Sequence, residues 1–192
     1  RTRSLFFREQ ETFDALREWI NSNRLKNDKN NKLKILSAGC SSGEEPYSIA
    51  ISLIECGMRP SDFQIDAFDI SPKVIEAAQQ AIYSESSLTS MNLNLIEKYF
   101  NRAEDIYILN PAIANLVNFS LANIIEDNLY IRKTYKVIII CYMIMFLSPQ
   151  AQVKAIKNLY RLLDDDGILL TTNHELHLFI GDSFKQHDKE FP

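Results

Sequence analysis

Glycine is scarce, with five residues in a chain of 192, and cysteine scarcer, with three. An odd, widely spaced set of thiols (Cys40, Cys56, Cys141) excludes a disulfide framework and a structural zinc site. It is the cysteine usage of a reduced chain, so a cytoplasmic location is expected. Long hydrophobic runs are missing: the longest, Val137 to Leu147, has eleven residues, against the roughly 20 a membrane helix needs. No signal-peptide pattern opens the sequence. There is no basic excess either. Lysine plus arginine number 21 against 25 acids, net −4, which disfavours a nucleic-acid binder. Neither an internal repeat nor a low-complexity tract is visible. Hydrophobic residues are 46% of the chain, enough for a packed core and too many for wholesale disorder. The length suits one domain carrying a small insert. The first residue is Arg1 and not methionine, so a fragment of a longer chain is expected.

What is present alternates between two periods. Phe13, Leu16, Trp19 and Ile20 recur at helical spacing. Ser22 to Lys34 has no apolar period and reads as an exposed loop with five basic residues (Arg24, Lys26, Lys29, Lys32, Lys34). Leu33 to Ala38 and Phe63 to Phe68 read as buried strands. A helix continued by Tyr47 to Glu55 separates them, with Pro46 near its start and Gly57 as its stop. Ser71 as N-cap and Pro72 at the first helical position open a helix expected to reach Ile82. Tyr83 to Asn115 breaks the rhythm and reads as an insert, with a short helix (Leu93 to Phe100) and an extended piece (Ile106 to Leu109). The rhythm resumes with strands Leu116 to Phe119 and Lys136 to Cys141. A helix from Pro149 to Leu163, a turn Asp164-Asp165-Asp166-Gly167 and a strand Ile168 to Thr172 follow. Strands alternating with helices predict an α/β fold with a parallel sheet.

Ligands of such sheets lie outside the carboxyl ends of the strands. The first such end carries Ser37-Ala38-Gly39-Cys40-Ser41-Ser42-Gly43-Glu44-Glu45-Pro46. Its glycines allow a sharp bend and close ligand approach. It matches no phosphate-binding loop, having neither Gly-x-Gly-x-x-Gly nor Gly-Lys-Ser/Thr. Glu44 and Glu45 instead favour the positive helix end, cap it, and repel a pyrophosphate. A cationic ligand suits them better. Asp69 closes the second strand, 30 residues after Gly39. A carboxylate there accepts hydrogen bonds from ribose hydroxyls. Asn123, just past the next strand, is either a turn residue or a partner for a base. A ribose ligand with a cationic end and no phosphate describes S-adenosylmethionine (SAM).

These residues resemble the CheR family of chemotaxis methyltransferases, which esterify protein glutamates with SAM. The likeness rests on Phe6-Phe7-Arg8, Ser37 to Ser48 with its Gly43-Glu44-Glu45-Pro46-Tyr47-Ser48 core, Ala67 to Ser71, Tyr99-Phe100 and Val117-Asn118-Phe119. It covers nearly the whole chain in order. The resemblance implies a Rossmann-like SAM-dependent methyltransferase fold with residues 84–115 as a small β-subdomain, used in some members to dock a receptor tail. It also implies that the family's N-terminal helical domain is absent from this sequence. Arg8 would act at the transferred methyl and, with Ser4, at the methionine end of the cofactor. Gly39 and Glu44 would contact its amino-acid part, Glu44 through the ammonium group. Asp69 would hold the ribose and Asn123 the adenine, with Ile124 and Cys141 completing the cofactor set and no metal among the ligands. S-adenosylhomocysteine (SAH) would be the product, and a chemoreceptor or related signalling protein the partner.

Departures cluster in one place. Against the family's Cys-Arg-Asn-Val-Leu-Ile-Tyr-Phe, this chain reads Ile140 to Leu147, so Cys141, Tyr142 and Phe146 stand for arginine, asparagine and tyrosine. Tyr142 and Phe146 either line the pocket or pack beneath it. A second expectation is therefore a catalytically silent SAM-binding module, and a third a methyltransferase with another substrate. His174-Glu175-Leu176-His177 lacks the His-Glu-x-x-His spacing of a metal site. Cys40 stands near a helix start, where a thiol pKa can fall, yet no partner base is apparent for it. Phe6 and Phe7 are expected in the core.

Overall fold

The computed structural model describes residues 4–23, 32–129, 133–180 and 184–185. Arg24, Lys26 and Lys29 of the expected basic loop lie outside them. The elements are, in order, α1 (Gln10–Asn23), β1 (Leu33–Ala38), α2 (Glu44–Glu55), β2 (Phe63–Asp69), α3 (Pro72–Gln80), β3 (Ile82–Ser84), α4 (Leu93–Tyr99), β4 (Phe100–Ala103) and β5 (Ile106–Leu109). Then come α5 (Pro111–Ala114), β6 (Val117–Leu121), β7 (Tyr135–Ile140), α6 (Pro149–Leu162), β8 (Leu163–Thr171) and α7 (Asn173–Phe179). Among the described residues, no helix is long and apolar enough to cross a membrane.

Five strands form a parallel sheet in the order β6-β2-β1-β7-β8. The central strands β1 and β7 are almost wholly buried, as strands covered by helices on both faces must be. Their alternate residues split between two cores, since successive side chains point to opposite faces. Leu33, Ile35, Val137 and Ile139 join α1, α2 and the aromatic residues of the insert. Leu36, Ala38, Ile138 and Ile140 pack with Ala155, Leu159 and Leu162 of α6. Each buried isoleucine or leucine contributes about 1.5–3 kcal/mol. The chain order reverses between β1 and β7, and that switch point opens a crevice above the strand ends.

A second, antiparallel sheet of order β3-β5-β4 lies within residues 82–109. It begins earlier than the sequence suggests, because α3 stops at Gln80 and Ala81 turns left-handed (φ 53°). Tyr83 of β3 reaches the loop after β1, its hydroxyl donating to the Ser42 carbonyl at 2.8 Å. Gly43 sits beneath that contact with φ 95°. A Cβ there would lie 2.9 Å from the Tyr83 hydroxyl, 3.0 Å from the Tyr47 ring and 3.1 Å from Ala78. Only glycine meets both demands.

The Asp164–Gly167 segment departs from its expected role. No separate turn precedes the last strand. α6 runs directly into β8, where Leu163 pairs with Tyr135 and Ile168 with Val137. The four residues between bulge outward opposite Lys136, whose ammonium group bonds Asp166. A wide groove of about 1060 Å³ follows β8, walled by Glu11, Glu18, Leu170 and Phe179.

Gly43→Ala is expected to lower stability by about 2–3 kcal/mol, combining left-handed strain with overpacking against Tyr83. Urea unfolding measures it, and a change within about 0.5 kcal/mol would contradict the close approach.

Candidate functional site

The N-terminal segment is pinned on both sides of its aromatic pair. Phe6 N–H donates to the Ser87 carbonyl at 2.9 Å, and Phe7 N–H to Ser48 Oγ at 3.0 Å. Phe6 is fully buried, edge-on to Tyr83 and Phe100 at 4.8 and 5.1 Å between centroids. This anchoring delivers Arg8 to the mouth of the crevice at the switch point.

The crevice holds about 220 Å³ and is lined by Ser4, Arg8, Gly39, Asp69 and Cys141, joined by Glu9, Cys40, Ser41, Glu45, Tyr142 and Met143. It is smaller than the groove beside β8. Convergent charged groups at the carboxyl edge of the sheet nevertheless make it the candidate ligand site. Gly39 turns the chain with φ 81°, and its N–H and that of Cys40 both donate to the Phe68 carbonyl at 2.9 Å. Asp69 Oδ2 accepts from Ser41 N–H and Oδ1 from Ser71 N–H, each at 3.0 Å. Each oxygen keeps a further lone pair for a ligand hydroxyl. Ser71 holds the N-cap position of α3, yet its side chain makes no capping bond. Asp69 serves that end through the Ser71 N–H instead.

Three expected site residues stand elsewhere. Glu44 is buried, takes a 2.7 Å bond from Ser42 Oγ, and does not line the crevice. Its neighbour Glu45 does, bonded by Ser37 Oγ at 2.6 Å. Helix α2 is buried nearly all round, so no polar face in the sequence distinguishes one glutamate from the other. Asn123 and Ile124 also fall outside the lining: Asn123 Oδ1 accepts from Ile125 N–H at 3.3 Å and Ile124 is buried. The Leu121–Asn123 segment still reaches the site's edge, since Ala122 N–H donates to the Asp69 carbonyl at 3.1 Å.

Burial raises the Glu45 carboxyl to about 7, against the lowering pull of bonds from Ser37 and Cys141 and with a smaller push from the Glu175 charge. The Cys141 thiol is driven well up by burial and by Glu45. Cys40 rises too, through burial and the charges of Asp69 and Glu45, in keeping with the absence of a partner base noted for it. Phe146 is 66% exposed and neither lines nor underlies the pocket. Tyr142 does line it, with φ 56°.

Sequence reasoning missed Glu175. Its side chain is fully buried. Oε2 accepts from Tyr142 N–H at 2.5 Å, and Oε1 from Met143 and Met145 N–H at 2.9 and 3.1 Å. It comes from α7, some thirty residues on, and no local pattern announces such a bond. Among the described residues, no group of three or more His, Cys, Asp or Glu side chains could hold a metal.

A parallel sheet reversed at its centre, a glycine turn after β1 and an acid closing β2 make this a Rossmann-like, SAM-dependent methyltransferase fold. A solved S-adenosylmethionine-dependent methyltransferase from Clostridium acetobutylicum superposes with a TM-score of 0.51 at 14% identity, over 93% of this chain and 57% of that one. The chain belongs to the CheR family: the CheR methyltransferase, SAM binding domain, matches residues 2–189. It is 30% identical over 175 residues to the chemotaxis protein methyltransferase of Salmonella typhimurium, covering 88% of this chain and 59% of that protein. It is also 30% identical over 165 residues to the probable biofilm formation methyltransferase WspC of Pseudomonas putida, covering 85% of this chain and 39% of that protein. The chain thus spans roughly two-fifths to three-fifths of these curated relatives.

The residues present fit the family's cofactor. Asp69 has acceptor positions that suit a ribose diol, and Glu45 and Arg8 bring a carboxyl group and a cation to the same crevice, as an amino-acid end requires.

Because the Glu45 carboxyl is raised from its ordinary 4.5 to about 7, the folded chain holds a proton that the unfolded chain has lost in that window. Stability therefore falls as pH rises from 4.5 to 7, and the loss is complete above it. Glu45→Gln is expected to flatten this slope and to gain on the order of 2 kcal/mol at mildly alkaline pH. Urea unfolding across the window checks it; an unchanged slope counts against the burial of Glu45.

Proposed function

We propose that this domain binds SAM in the crevice and transfers its methyl group to the carboxylate of a protein glutamate. The carrying observation is the charge layout. Arg8 stands in one crevice with Glu45 and Asp69. A zwitterionic amino acid needs one cation and one anion, and a ribose diol needs a carboxylate. Arg8 takes the ligand's carboxylate and Glu45 its ammonium group. Glu45, near neutrality when the crevice is empty, ionises as that cation arrives. Asp69 receives the ribose hydroxyls. Ser4, Gly39 and Cys141 line the same volume, Glu44 shapes the loop from behind, and the Leu121–Asn123 segment, tied to Asp69 through Ala122, is the side from which the base is approached. Ile70 and Leu121, both exposed beside Asp69, offer the base an apolar surface.

The cofactor supplies an electrophilic methyl on a sulfonium. The chain's own work is to position and to exclude water. A glutamate carboxylate is already nucleophilic at neutral pH, its pKa being about 4.3, so no general base is required of the pocket.

A chemoreceptor or related cytoplasmic signalling protein is the partner we favour, on the strength of relatives named for chemotaxis. Residues 84–115 are read as the subdomain that meets it, supported by their participation in a separate antiparallel sheet. Family membership disfavours a catalytically silent module.

Calorimetric titration with SAH is expected to show one site, weakened about tenfold or more by Asp69→Asn through loss of a charge-assisted acceptor. Radiolabelled SAM is expected to leave base-labile methyl esters on receptor-enriched membranes. Failure of SAH to bind at millimolar concentration would sink the cofactor assignment, and binding without ester formation the catalytic one.

A further inference from the structure

The crevice wall contributed by the turn after β7 holds a residue in an unusual state. Tyr142 has φ 56°, a strained conformation that bulky residues rarely adopt. Three contacts over-determine it. Its backbone N–H donates to Glu175 Oε2 at 2.5 Å. Its hydroxyl donates to Glu9 Oε1 at 2.6 Å. Its ring lies under the Arg8 guanidinium, with Cζ 3.9 Å from the ring centroid. The same Glu9 oxygen is 3.9 Å from Arg8 Nε. His174 of α7 approaches the ring at 6.1 Å.

This is an apparatus for holding an arginine. A guanidinium over an aromatic face is attracted by the ring quadrupole without a hydrogen bond being used for it. Glu9 steadies the ring and the cation through one oxygen. Glu175 fixes the backbone that aims the ring. Strain kept at a ligand site by surrounding contacts marks a geometry the site needs.

We infer that Tyr142 is the positioning residue for Arg8, setting the guanidinium to receive the carboxylate of the ligand's amino-acid end. The inference rests on the adenosyl-ligand reading above and deepens it. It assigns a role to a side chain on which this sequence departs from the family pattern. The role is chemical as well as steric: asparagine, which tolerates a left-handed backbone, keeps the turn and removes the ring.

The test compares two probes that differ only at the amino-acid end. SAH carries the carboxylate and ammonium group; 5′-methylthioadenosine carries neither. Both are titrated calorimetrically into the wild-type chain and into Tyr142→Asn, Tyr142→Phe, Arg8→Ala and the double variant Arg8→Ala/Tyr142→Asn. Tyr142→Asn is expected to weaken SAH about 3- to 30-fold, the range of a cation–π contact, and to leave methylthioadenosine within about twofold. Tyr142→Phe keeps the ring and is expected to recover SAH affinity to within about threefold of wild type. In the Arg8→Ala background, adding Tyr142→Asn is expected to cost nothing further, since the coupling is already gone. Equal weakening of both probes, or additive losses in the double variant, would overturn the inference and leave Tyr142 a structural residue. So would unchanged SAH affinity in Tyr142→Asn. A wild-type chain that binds neither probe would remove the adenosyl reading and this inference with it. Binding of both probes by the wild type, with Arg8→Ala indifferent to the amino-acid end, would remove this inference alone. If Tyr142→Asn does not fold, Tyr142→Phe together with the Arg8→Ala probe comparison still decides it: a Phe variant that loses SAH as Arg8→Ala does would place the effect in the hydroxyl and overturn the role of the ring.

Discussion

A single buried carboxylate shapes the crevice wall. Where β7 ends, the chain turns back with successive N–H groups pointing inward, and groups of that kind are costly to leave unpaired. Glu175 gathers three of them, from Tyr142, Met143 and Met145. Bonds from backbone donors to a carboxylate are short and strong, and they let an acid remain fully buried. Because Glu175 belongs to α7, beyond β8, the crevice is complete only when the far end of the sheet has docked. Tyr142, and through it Arg8, inherits its position from that event.

The site then follows from opposed charges set around a bend. Gly39 turns the chain so that the Asp69 carboxylate meets the Ser41 N–H. Glu45 stands on the first turn of α2, tied to Ser37 of β1. Arg8 arrives from outside the sheet, delivered by two buried phenylalanines. The anions thus sit on the rigid framework and the cation on a separately anchored segment. The Tyr83 contact to the Ser42 carbonyl binds the smaller sheet to the loop that borders the crevice.

Much of this framework was legible in the amino-acid order, because it depends on local pattern. Strands β1 and β7 read as apolar runs, α3 is announced by Ser71-Pro72, and the loop from Gly39 to Gly43 marks a strand-to-helix turn. The acid at Asp69 was found from its place at a strand end. What was not legible depends on distant partners. Nothing near Glu175 foretells the turn it serves. Glu44 and Glu45 are adjacent on a helix buried nearly all round, so only the packed structure shows that Glu45 faces the crevice. The Asp164–Gly167 stretch has turn composition, yet the register of β7 makes it a bulge. Cys40 sits by a helix start, but burial and the charges of Asp69, Glu45 and Glu44 raise its thiol.

The raised thiols have a consequence for durability. Peroxide and alkylating agents attack the thiolate, not the thiol. Cys40 and Cys141 keep their protons far into the alkaline range, held by burial and by neighbouring acids. Both line the crevice, where oxidation to a sulfenic or sulfinic acid would add bulk and polarity beside Glu45. The acids that suit the pocket to a cationic ligand therefore also disfavour the thiolate form of its two cysteines.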